Sequence, residues 1–113
     1  MSPFALEITK QEIEDGYRNL HRTITGGQVN PAVILALKFI KIDKDELWKF
    51  LKSYASTDIN YRDTEPLVIV NALYNNWQHD QENDAFVAHA VAVLASATKT
   101  RNDSVLKFMP NKY

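Results

Sequence analysis

The chain contains no cysteine. Disulfides, thiolate nucleophiles and cysteine-ligated zinc are therefore excluded at the outset. An excess of either charge is lacking too: 13 Lys and Arg stand against 14 Asp and Glu, for a formal net charge of −1. Nucleic-acid modules usually carry a strongly basic balance, so bulk composition disfavours that class and leaves it only a local patch. Long apolar runs are also missing. A membrane-spanning helix needs about 20 mostly apolar residues, and the best stretches, 32–37 and 90–95, fall far short. The opening residues Met1-Ser2-Pro3-Phe4-Ala5-Leu6-Glu7 have neither the basic start nor the apolar centre of a secretory signal. A cytoplasmic location is the expectation.

What is present is an ordinary globular mixture, 45% hydrophobic and 24% charged, with a mean hydropathy of −0.33. At 113 residues this suits one domain, and a chain of that size can bury a sufficient core without a metal or disulfide.

Caps and periodicity predict an all-α bundle of about five helices with a short C-terminal tail. Thr9 and Glu12 form a capping box, each side chain taking the other's free backbone N–H. Ile13, Tyr17, Leu20 and Ile24 repeat at helical spacing behind it, and Gly26-Gly27 supplies the exit. This places a first helix over 9–25. Asn30 as cap and Pro31 in the first position start a second over 31–42, apolar on most sides and hence central. Asp43 with Glu46 opens a third over 44–56, in which Leu47, Phe50, Leu51 and Tyr54 form the inner face. Asp63 or Thr64 caps a fourth over 64–79, whose inner residues are Leu67, Val70, Tyr74 and Trp77, widened by Ile69 and Leu73. The fifth, over 84–99, is apolar nearly all round and is expected at the centre of the bundle. Residues 101–113 are expected to form the tail. Pro31-Ala32-Val33-Ile34 and Pro66-Leu67-Val68-Ile69 echo each other, each opening a helix, as repeated helical pairs do.

The segment Ile24-Thr25-Gly26-Gly27-Gln28-Val29-Asn30-Pro31-Ala32-Val33 resembles the Asn-Pro-Ala signature of aquaporins and their relatives. Those channels carry two such motifs among six membrane spans, whereas this chain has one motif and no span, so the likeness reduces to helix initiation. Asp80-Gln81-Glu82-Asn83-Asp84 suggests a calcium loop, but the glycine and glutamate such a loop needs fall on Ala85 and Val91. Acidic residues gather at four of the five expected helix starts (Glu12; Asp43, Asp45 and Glu46; Asp63 and Glu65; Glu82 and Asp84), where they complement the helix dipole, and capping is the better account. His21, His79 and His89 share no metal-ligand spacing, and no metal or other cofactor is expected. His89, among alanines and valines, is expected in the core.

By elimination the sequence points to a small binding protein that recognises another protein, of adaptor, inhibitor, immunity or assembly-factor type, and not to an enzyme. Tyr61 and Arg62, in the linker before the fourth helix, are the candidate partner contacts, because tyrosine and arginine dominate binding hot spots. Inward folding of Tyr61 to close the core is the plainer reading of the same residues. One alternative is a nucleic-acid regulator using Arg18, His21 and Arg22 on one face of the first helix, set against a solvated face in which Glu14 pairs with Arg18. A second is an enzyme built around His79 or His21. A homo-oligomer is compatible with all three.

Overall fold

The computed structural model describes residues 9–59 and 65–108 and, within them, the side chains of all but 58, 59 and 100–108. Five α-helices follow one another: α1 (Lys10–Thr25), α2 (Val29–Phe39), α3 (Lys44–Tyr54), α4 (Glu65–Gln78) and α5 (Ala85–Phe108). A π-helical turn, Ala55–Ile59, continues α3. The described residues include no strand, and the all-α expectation holds. No described helix is long and apolar enough to cross a membrane.

The two ends of α1 follow its sequence signals. Glu12 N–H donates to Thr9 Oγ1 at 3.0 Å, and Thr9 N–H donates back to Glu12 Oε1 at 3.4 Å, which completes the capping box. At the exit Gly27 N–H donates to the Ile24 carbonyl and Gln28 N–H to the Thr23 carbonyl, both at 2.9 Å. This is the Schellman pattern, and Gly27 takes its left-handed position at φ +70°.

The second helix starts earlier than its sequence suggested. Gln28 is the cap, without a side-chain hydrogen bond, and Asn30 and Pro31 already lie in the first turn. Proline is tolerated there because first-turn N–H groups have no partner inside the helix. The helix ends at Phe39, and it is not apolar-covered on most sides: Ile34 is 58% exposed. Asp43 caps α3 as expected, accepting from Glu46 N–H at 3.1 Å. Asp43's own N–H donates to the Phe39 carbonyl at 3.0 Å, where a full capping box would have used Glu46. The hydroxyls of Ser56 and Thr57 both donate to the Ser53 carbonyl, at 3.1 and 2.8 Å. They satisfy a carbonyl at the widened turn, and so part of the expected linker is helical.

The core runs through all five helices. α2 packs on α1, α3 and α5, while α5 packs on α1, α2, α4 and the π turn. Among the described side chains of α5 the buried positions are Val87, Ala90, Val91, Leu94, Ala95 and Thr98, one stripe at 3.6-residue spacing. Its alanines let α2 and α4 approach closely. The opposite side is open, and His89, expected in the core, is exposed on it. The apolar character of its sequence neighbours misled there, because position on the helical wheel, not local composition, decides which residues point inward. α5 also continues through residues expected as tail, and is described as far as Phe108, with no glycine or proline between 85 and 108 to stop it. In α4 the buried line is Pro66, Val70, Leu73 and Trp77, with Leu67, Ile69 and Tyr74 half-buried. The two Pro-led segments differ in register: Pro31 is exposed with Ala32 buried, whereas Pro66 is buried. A shift of one residue rotates a helix by about 100°, so the echo does not place equivalent residues alike.

Candidate functional site

The apolar stripes of α1 and α3 are only partly consumed by the core. On α1, Leu20 and Ile24 are fully buried, but Ile13 and Tyr17 are half-buried. On α3, Leu47, Trp48, Leu51 and Tyr54 are buried while Phe50 is half-buried. The two helices run in the same direction: Tyr17 meets Phe50 with ring centroids 5.3 Å apart, and one turn further His21 meets Tyr54 at 5.1 Å. Between them lies an open groove of about 770 Å³, lined on one wall by Lys10, Ile13, Glu14 and Tyr17 and on the other by Asp43, Glu46, Lys49, Phe50 and Ser53.

The floor of the groove is aromatic. Tyr17 stacks on Phe39 at 4.6 Å with the rings 17° from parallel. Gly16 makes this possible, because the tip of the Phe39 ring occupies the space that a β-carbon at position 16 would take. The Tyr17 hydroxyl is pushed up to about 12, first by burial and then by the negative charges of Glu46 and Asp43. Burial and nearby carboxylates both disfavour a phenolate, so Tyr17 stands in the groove as a neutral donor and acceptor.

One turn beyond Tyr17 and Phe50, a polar chain joins the helices. Tyr54 Oη lies 2.9 Å from Thr25 Oγ1 and 3.5 Å from Thr98 Oγ1. Thr98 gives its proton to the Leu94 carbonyl at 2.9 Å, so toward Tyr54 it can only accept. This chain ties α1, α3 and α5 together.

The residues singled out from sequence fall in three places. Tyr61 and Arg62 lie outside the described residues, as do the expected caps Asp63 and Thr64. Arg18, His21 and Arg22 are all exposed on α1. Arg18 bonds Asp15 at 2.9 Å, not Glu14 as expected, and Asp15 also accepts from Gln11 Nε2 at 3.0 Å. His21 sits one turn beyond Tyr17, edge-on to Tyr54 and to Phe50. His79 is exposed at the end of α4 and does not line the groove. In the acidic loop, Asn83 Nδ2 donates to Asp80 Oδ2 at 3.3 Å, and Asn83 Oδ1 accepts from Ala85 N–H at 3.0 Å, so the loop's polar groups serve the start of α5. The described residues contain no cluster of three or more His, Asp or Glu able to hold a metal.

Sequence reasoning passed over Gly16, Trp48 and the groove itself. Trp48 and Trp77 are both buried with rings 5.5 Å apart, and neither indole N–H has a hydrogen-bond acceptor among the described residues. Beside them Lys52 places its Nζ 3.8 Å over the Tyr74 ring, a cation–π contact. A glycine inside a strongly periodic helix was the available signal for Gly16, since such a residue costs about 1 kcal/mol against alanine and needs a packing reason.

Compared with protein-family models, with curated proteins and with solved structures, the chain gives no match.

Proposed function

We propose that this is a cytoplasmic helical protein that acts by binding another protein through the α1–α3 groove, and not by catalysis. One observation carries the reading: Ile13, Tyr17 and Phe50 belong to the core-facing stripes of their helices, yet stay half-exposed in an open trough with charged residues along its rim. An apolar centre inside a polar, solvated rim is the anatomy of a protein interface, and tyrosine is among the residues that anchor one. Tyr61 and Arg62 belong to the same proposal as a second contact.

The test is affinity capture from host extract with matched variants whose melting temperatures stay near wild type. Ile13→Glu is expected to lose the proteins that the native chain retains, while Arg22→Ala keeps them. Tyr61→Ala and Arg62→Ala form a third arm, expected to weaken retention without loss of stability. Retention that survives Ile13→Glu overturns the groove. If the same retention fails with Arg22→Ala, the site moves to the Arg18–His21–Arg22 face.

A further inference from the structure

We infer that the occupant of the α1–α3 groove is an amphipathic α-helix of another protein, with apolar side chains one turn apart set on Ile13, Tyr17 and Phe50, and a lysine or arginine set toward Asp43 and Glu46. The inference rests on the groove being the binding site.

The walls decide between a helix and an extended segment. Both are α-helices, whose inner backbone groups are already paired along their own axes. They offer no sheet edge, so an extended peptide would leave its N–H and C=O groups unmet over an apolar floor, at a cost of roughly 1–3 kcal/mol for each buried group. A helix brings its backbone hydrogen bonds with it. The floor also has helical length: from Lys10 to Tyr17, α1 rises about 10 Å, two turns, which matches side chains at i and i+4 with a third at i+7.

Charge selects the polar end of the occupant. Glu46 and Asp43 both act on the Tyr17 hydroxyl, while neither Lys10 nor Lys49, on the same rim, is among the groups that do. The rim itself carries three carboxylates, Glu14, Asp43 and Glu46, against two lysines, Lys10 and Lys49, so acid outnumbers base around the floor. Asp43 spends one oxygen on the α3 cap, and neither Asp43 nor Glu46 forms an ion pair with a described residue. A cation from the partner would meet both carboxylates beside an apolar surface, where water screens the pair less than in bulk.

The experiment is display selection of a randomised helical-peptide library on the full chain, with binding of the selected peptides then measured on variants. Peptides with apolar residues at i and i+4 and a Lys or Arg near one end are expected. Their affinity should fall about tenfold or more on Glu46→Lys, the scale of ~1.4 kcal/mol. It should change little on Asp45→Lys, which alters net charge equally but lies off the groove. Selected peptides that are extended or acidic yet lose binding on Ile13→Glu would overturn the helical, cationic occupant and leave the groove standing. Equal losses on Glu46→Lys and Asp45→Lys overturn the charge assignment. Peptides indifferent to Ile13→Glu, or no enrichment at all, overturn both the occupant and the groove.

Discussion

The ring tip of Phe39 fills the space beside Gly16 where any other residue would carry its β-carbon. Two effects of Gly16→Ala therefore oppose each other. Alanine raises helix propensity by about 1 kcal/mol. It also forces back a ring that is 8% exposed and stacked on Tyr17, and overpacking of this kind costs about 1–3 kcal/mol. Packing wins, because Phe39 cannot withdraw without giving up the stack. Thermal unfolding should show a lower melting temperature for Gly16→Ala, and a rise would mean the ring is free to move.

Gly27→Ala should destabilise for two independent reasons. The backbone there has φ +70°, a conformation that costs an L-residue roughly 1–2 kcal/mol. An added β-carbon would also lie 2.7 Å from Cβ of Lys99. Trimming the neighbour separates the two: measured against Lys99→Gly alone, Gly27→Ala should cost less than it does in the wild-type background, because the Cβ contact is gone, while the backbone part stays in place. No cost at all in that background would show that φ contributes nothing.

Val91 and His89 are two residues apart on α5 and should respond oppositely to the same change. Val91 is fully buried, so Val91→Asp places a carboxylate in the core at a cost of several kcal/mol, about 3–5. His89 faces outward, and His89→Asp should stay within about 0.5 kcal/mol of wild type. Denaturant titration of both variants checks the orientation of α5, and comparable losses would refute it.

Tyr17 should ionise above the ordinary tyrosine value when followed by ultraviolet absorbance. Glu46→Gln should bring its midpoint down from about 12 without restoring 10.0, because burial is the larger cause. The folded chain holds this proton more tightly than the unfolded one, so the contribution to stability is whole below pH 10 and is lost as pH rises from 10 toward 12. Unfolding measured across that range should steepen in wild type relative to Tyr17→Phe. Identical pH profiles would remove Tyr17 from the account.

Local signals were legible where a few neighbouring residues settle the matter. Thr9 and Glu12 specify the start of α1, Gly26-Gly27 its exit, and Asp43 the start of α3, since each acts through hydrogen bonds within four residues or so. Signals misled where two local arrangements compete or where packing decides. Asn30 and Pro31 looked like a cap and first position, but the preceding Schellman turn delivers the chain into α2 earlier. His89 looked buried from its neighbours and is not. Arg18 has acids both three and four residues before it, and it bonds Asp15 in place of the expected Glu14.

The sequence by itself determined that the chain is helical, where α1 and α3 begin, and which residues of α1 and α3 form apolar stripes, because 3.6-residue periodicity and capping are properties of one segment at a time. The tertiary structure decided how much of each stripe is covered. Ile13, Tyr17 and Phe50 carry the same sequence signature as Leu20, Ile24 and Leu51, yet three line an open groove and three are fully buried. What separates them is which helix lies opposite, and that is set by packing between segments distant in the chain. The groove exists because α1 and α3 lie side by side, joined by the Tyr54–Thr25 hydrogen bond one turn beyond its lining.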